Sequence, residues 1–291
     1  QVFTLSDLHV DVPANMSWVQ LHCRRPAHTP PHVFTVFICA GDVSANMDCI
    51  RKAFEHLVDH YDAVCFVPGN HDCWKRNDIK HDNSVSKLQD LLALAHACDV
   101  CTGPLHICCT EQRRTLLRVC PLYSWYHSSW DAEPDLTDQA SWSDFRRCLW
   151  PKTAVKGFDF ITTPDTTDGP APDLCSMFAE LNDPFISRTL AARETQLQRD
   201  RQSESDEIAS HSAPESPLIT FSHFLPRQEC CPEKRFLTEQ HLMKVVGSTI
   251  LDTQIRALRP DLHIFGHTHI PIDLTVDGQR YLQWPLGYAR E

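Results

Sequence analysis

A chain of 291 residues, 42% of them hydrophobic, has material for one large domain with a substantial core. Its formal net charge of −11 leaves no surplus of Lys and Arg to neutralise a nucleic-acid backbone, which disfavours nucleic acid as a partner. No run approaches the roughly 18 apolar residues needed to cross a bilayer, so the expectation is a soluble, intracellular protein of the cytoplasm or an organelle. Because the chain opens at Gln1 and enters an apolar segment at once, the natural N-terminus is expected to have been trimmed, and any targeting segment with it.

Short apolar runs rich in β-branched residues predict buried strands at Val2 to Leu5, Val33 to Cys39, Ala63 to Val67, Leu116 to Cys120, Leu218 to Phe221 and Leu262 to Phe265. Between them, Met47 to Tyr61 and Ser84 to Ala97 space their apolar residues three and four apart, as at Ile50, Phe54, Leu57 and Tyr61, which predicts helices packed by one face on a sheet. Thr162 to Pro172, dense in Thr, Pro, Asp and Gly, reads as an irregular connection. Ala191 to Pro217 has almost no large apolar residue after Leu197 and too little to bury, so a mobile insertion is expected there, beginning as a frayed helix. Near the end, Asp273 to Val276 turns at Asp277-Gly278 into Tyr281 to Gln283 as a hairpin. Alternating strands and helices with a late antiparallel piece predict a mixed α/β sheet system. Motifs fall on both sides of the irregular stretches, so residues 1–291 read as a single domain.

Fourteen cysteines scattered through the apolar segments of a large chain read as reduced, mostly buried thiols. Cys98 and Cys101 have the spacing of a zinc knuckle, but their companions Cys108 and Cys109 are adjacent, which suits zinc ligation poorly.

Five segments share one design, an apolar strand followed at once by residues able to bind metal. They are Asp7-Leu8-His9, Gly41-Asp42, Gly69-Asn70-His71-Asp72, Ser222-His223 and Gly266-His267-Thr268-His269. The carboxyl ends of parallel strands form the usual ligand crevice of α/β sheets, so residues far apart in sequence can converge there. In extended chain, i and i+2 project to one side, which would turn Asp7 with His9, and His267 with His269, toward a common site. Any one segment alone has a bland explanation as a turn or a satisfied histidine; the five in order do not.

These segments resemble the signature D-x-H, G-D, G-N-H-[DE], H and G-H-x-H of the calcineurin-like metallophosphoesterase superfamily, over essentially the whole chain. Phe221 to Pro226 and Gln283 to Tyr288 are similar to members from plants, algae and protists. The resemblance implies two mixed β-sheets packed as a sandwich and flanked by helices. It implies one metal held by Asp7, His9 and His269, a second held by Asn70, His223 and His267, and Asp42 bridging them. Val10 stands where the superfamily often has Gly, which could narrow access near His9 but removes no ligand.

Imidazole, carboxylate and amide oxygen together suit Mn, Fe, Zn or Co. Two such ions lower the pKa of a bridging water and aim the resulting hydroxide at phosphorus, so hydrolysis of phosphate esters is the expected activity, on a phosphorylated small molecule or phosphopeptide. The resemblance also implies that His71, directly after Asn70, stabilises the phosphoryl group and protonates the leaving oxygen, with a role limited to orienting a ligand as the alternative. Tyr123-Ser124-Trp125-Tyr126 reads chiefly as core, and Arg227, Lys75 and Arg76 could clamp a phosphate, an exposed surface cation being the default reading for each. The competing readings are a nuclease and a catalytically weak scaffold that binds protein through the same fold.

Overall fold

The computed structural model describes residues 1–75, 78–109, 114–132, 142–151, 173–204, 216–237 and 240–288. A four-stranded sheet has the order β1-β2-β3-β4, formed by Val2–Leu5, Val36–Cys39, Ala63–Phe66 and Val100–Cys101. A six-stranded sheet has the order β5-β6-β7-β8-β10-β9, formed by Leu105–Cys109, Arg114–Pro121, Leu218–Phe221, Leu262–Phe265, Gln279–Gln283 and Ile272–Val276 respectively. The six-stranded sheet is mixed, with antiparallel pairs at both edges. The four-stranded sheet is parallel in every described pair. Its central strand β2 is buried at all four positions, as expected of a parallel strand covered on both faces.

The two sheets face each other across one core, to which both contribute: Phe37, Ile38 and Val64 from one, Val119, Ile219, Phe221 and Ile264 from the other. The period of two sorts side chains between layers. On β6 and β7, Val119 and Ile219 join the core between the sheets, while the adjoining Cys120 and Leu218 pack with Leu251, Ile255 and Leu258 of helix α7 (Thr249–Leu258). Beside the smaller sheet lie α1 (Pro13–His22), α2 (Met47–Val58) and α3 (Ser84–Ala97). Asn46 caps α2, Asn83 closes a capping box on α3, and Ser248 caps α7, each accepting otherwise unpaired N–H groups of the first turn.

Helix α1 escapes the sequence pattern because it buries only Asn15 and Val19. The short α4 (Ser143–Arg147) and α5 (Leu174–Glu180) likewise carry too few turns to show a period. Helix α6 runs from Asp183 to Glu204, so the first part of the expected insertion is helical; residues 205–215 and the expected irregular stretch 162–172 lie outside the described residues. The hairpin turns at Asp277 and Gly278, with φ of 50° and 80°, the left-handed pair that a tight two-residue turn requires. All fourteen cysteines are free. Among the described residues no helix is long and apolar enough to cross a membrane.

Candidate active site

The five motifs lie just past the carboxyl ends of β1, β2, β3, β7 and β8, so the site draws on both sheets. Past these ends the chain segments bond to one another instead of to strands. Asp7 N donates to Gly41 O at 3.0 Å, His9 N to Asp42 O at 3.0 Å, Gly266 N to His223 O at 2.9 Å and Gly287 N to Asp7 O at 3.0 Å. These bonds hold a backbone that is not extended. Asp7, His9, Asp42, His267 and His269 have φ of 55, 43, 55, 79 and 58°, left-handed conformations that cost a non-glycine residue about 1–3 kcal/mol each. The expectation that i and i+2 of an extended strand face one way is therefore corrected. Both members of each pair are left-handed, and they converge because long-range hydrogen bonds curl the loops over the strand ends.

All seven expected ligands meet there, and most are fully buried: Asp7, His9 and His223 at 0% exposure, Asp42 at 1% and Asn70 at 4%. Donor atoms of six of them, together with His71, form three overlapping groups, Asp7 with His9 and His269, His9 with Asp42 and His71, and Asp42 with His223 and His267. None of these groups among the described residues contains a cysteine, and the Cys98 to Cys109 set forms no metal-capable cluster.

Proton placement tests whether the cluster suits a metal. His223 Nδ1 lies 2.9 Å from the Ala40 carbonyl and His267 Nε2 lies 3.0 Å from the Val245 carbonyl, so each of these nitrogens donates and carries the ring's proton. The opposite nitrogens, His223 Nε2 and His267 Nδ1, face each other at 3.2 Å and each lies 3.0 Å from Asn70 Oδ1. In neutral rings these are three acceptor atoms with no hydrogen among them, an arrangement that repels itself unless a cation is shared. On the other side, His9 Nε2 and His269 Nε2 are 3.0 Å apart, with Asp7 Oδ1 3.5 Å from the latter. Burial and neighbouring imidazoles favour the neutral rings: burial pulls His9 down to about 4 and lowers His223, and burial with the charge of His223 takes His267 well below the usual range. Burial, then Asp72 and Asp7, hold the Asp42 carboxyl well above its ordinary range. Burial raises Asp7, but the hydrogen bond and charge of His269, with His223 and His9, outweigh it and the net shift is downward. Two buried carboxyl groups among inward-facing lone pairs fit metal cations.

His71 sits at the rim, its side chain 18% exposed. Its N–H donates to Asp42 Oδ1 at 2.9 Å and its Nε2 is 3.8 Å from Asp42 Oδ2. Its ring lies between His9, at 4.6 Å, and Trp74, stacked at 3.4 Å. Burial, then His9, His223 and His267, lower its pKa well below the usual range. Asp72 is buried and accepts three backbone N–H groups, from Asp42, Ser44 and Gly69 at 2.9, 3.0 and 2.8 Å, so it shapes the loops that carry Asp42 and Asn70.

Two glycines admit these approaches. A Cβ on Gly41, whose φ is 85°, would fall on His223 Nδ1, and one on Gly69 would fall on Asp42 Oδ1. Gly41→Ala therefore combines a disfavoured backbone with a clash, and a loss of about 1–3 kcal/mol is expected, seen as a Tm lowered by roughly 3–10 °C. An unchanged melting curve would contradict the described packing.

Several residues serve the site without a signal in the motifs. Tyr288 stacks on His9 at 4.4 Å. Asn15 of α1 donates to the carbonyls of Leu8 and Gly287 at 2.9 and 2.8 Å, tying two site loops together. Asp144 of α4 contacts Asn70 directly. The candidate clamp Arg227 is engaged elsewhere, paired with Glu229 and with Asp277 at the hairpin turn, both at 2.7 Å. Arg76 lies outside the described residues, and Lys75 joins through its backbone to Arg147 O at 2.8 Å. Tyr123 and Trp125 are core, Trp125 packing against Trp150, Phe178 and Phe224. Val10 is buried in the same core.

Comparison with known proteins follows the same lines. Among solved structures the chain is similar to phosphopantetheinyl hydrolase from Mycobacterium tuberculosis, with a TM-score of 0.63 and 19% identity over 99% of this chain and 90% of that one, a likeness of fold. A second structure aligns over 97% of this chain and 89% of that chain at 12% identity with a TM-score of 0.41. No curated protein matches the chain. The family model of the calcineurin-like phosphoesterases matches residues 1–271, and the chain belongs to that family.

Proposed function

We propose that the protein is a phosphoesterase using two transition-metal ions, Mn, Fe or Zn, with Asp7, His9 and His269 holding one, Asn70, His223 and His267 the other, and Asp42 shared. The observation that supports it is the set of unprotonated acceptors, Asn70 Oδ1, His223 Nε2 and His267 Nδ1, packed within 3.2 Å of one another. Bound metals supply Lewis acidity toward the phosphoryl oxygens and a water acidic enough to attack phosphorus near neutral pH. The chain's own groups do the rest. Ala40 O and Val245 O fix the tautomers of His223 and His267, and Asp72 holds the loops of Asp42 and Asn70 in place. His71, at the rim, presents an imidazole N–H to the phosphoryl group or to the departing oxygen.

A phosphorylated small molecule or phosphopeptide is the proposed substrate, and phosphopantetheinyl esters belong on the test panel because of the solved neighbour. The test is elemental analysis after Mn loading, followed by assays on an aryl phosphate monoester and its diester. About two metals per chain, loss of turnover with chelator and its return with Mn are expected. Turnover that persists after exhaustive chelation, or a chain that takes up no metal, would sink the proposal.

A further inference from the structure

An asparagine ligand raises a problem of orientation that a symmetric carboxylate does not. Its amide presents an oxygen that can hold a metal and, after a half-turn, an NH₂ that cannot. The tie that decides between them lies 74 residues away, on α4. Asn70 Nδ2 donates to Asp144 Oδ1 at 2.9 Å, and a carboxylate, which only accepts, leaves the amide no other orientation at this contact. Asp144 is 2% exposed. The same oxygen accepts from Trp74 Nε1 at 2.6 Å, and its partner oxygen accepts from Trp142 Nε1 at 3.3 Å. Trp74 is the ring on which His71 lies.

The segment bearing Asp144 is fastened to Lys75, just past the ligand turn, and to Ser84 at the start of α3 by bonds that do not involve the carboxylate. Lys75 N donates to Arg147 O and Ser84 N to Leu149 O, each at 2.8 Å, and Leu149 N donates to Ser84 Oγ at 2.9 Å. We infer that Asp144 is a positioning residue, which fixes the Asn70 amide with its oxygen toward His223 and His267 and holds the Trp74 ring against His71. Through one buried carboxylate, a metal position and the proton-donating rim take their geometry from the same point.

The inference rests on the proposed role of Asn70 as a ligand, and the test separates the two. Metal affinity is measured by titrating metal-free protein with Mn against a competing fluorescent chelator, for wild type, Asp144→Ala, Asn70→Ala and the double variant. Asp144→Ala is expected to weaken one of the two positions by about 10–100-fold, the usual cost of losing the partner that orients a ligand. In the Asn70→Ala background the same change should add no further loss, because the two act in series. An undiminished further loss there, or wild-type affinity in Asp144→Ala, overturns the inference. Wild-type affinity at both positions in Asn70→Ala overturns the ligand role itself. Should Asp144→Ala fail to fold, Asp144→Asn replaces it in the same cycle. Its carboxamide keeps one acceptor but loses the charge, so a loss of roughly fivefold is expected, again only while Asn70 is present. No loss in Asp144→Asn would equally overturn the inference.

Discussion

Asp42→Asn is expected to strip metal from both positions and to lower turnover more than any other single ligand substitution. Asp42 belongs to two of the three metal-capable groups, one with His9 and His71 and one with His223 and His267. Its Oδ1 lies 3.5 Å from His223 Nε2, on one side of the cluster, and its Oδ2 faces His71 on the other. An amide keeps the size of the side chain and the hydrogen bond from His71 N, but removes the negative charge that the two proposed cations would share. The expected loss exceeds the roughly 100-fold that removal of a ligand's hydrogen-bonding partner costs, because on the proposed reading a shared ligand is altered. Elemental analysis and turnover on one aryl phosphate measure both halves. Two metals per chain with near-normal turnover would show that Asp42 is not shared.

For His71→Ala the size of the loss should depend on the leaving group. If His71 supplies a hydrogen to the departing oxygen, its help matters most for an alkyl phosphate, whose alkoxide is a poor leaving group, and least for an aryl phosphate with an acidic phenol. A loss of about 10² to 10⁴ in kcat is expected on the alkyl ester, and a clearly smaller one on the aryl ester. Burial, reinforced by His9, His223 and His267, favours the neutral ring, while a phosphate dianion beside it works the other way. His71 is not one of the seven proposed ligands, although its ring nitrogen lies among those of His9 and Asp42, so metal content should stay near that of wild type. Equal losses on both esters with metals retained would assign His71 to stabilising the phosphoryl oxygens. Loss of metal would assign the His71 ring to holding or orienting the metal-binding groups around it, since its nitrogen lies among the donor atoms of His9 and Asp42, 3.8 Å from Asp42 Oδ2.

The local chemistry of this protein was legible in the sequence. Val2–Leu5, Leu218–Phe221 and Leu262–Phe265 are strands with the bounds their apolar runs suggest, and Ser84–Ala97 is a helix with the bounds of its pattern. Each is a continuous stretch whose burial shows in its own residues. The motifs at the strand ends were legible for the same reason, since Asp, Asn and His beside Gly interrupt apolar runs abruptly. Left undetermined was everything that depends on a partner far along the chain. Periodicity reports that a strand is buried but not which sheet receives it, so the division into a four-stranded parallel sheet and a six-stranded mixed one emerged only with the pairing. The left-handed backbone at Asp7, His9, Asp42, His267 and His269 is disfavoured for each residue by itself; bonds such as His9 N to Asp42 O, between loops of different strands, select it. Asn15 and Tyr288 come to the site from beyond the motifs, and Asp144 from a five-residue helix. Sequence named the atoms able to hold a metal; tertiary structure decided their orientation, because an amide or imidazole is aimed by whatever binds its other end.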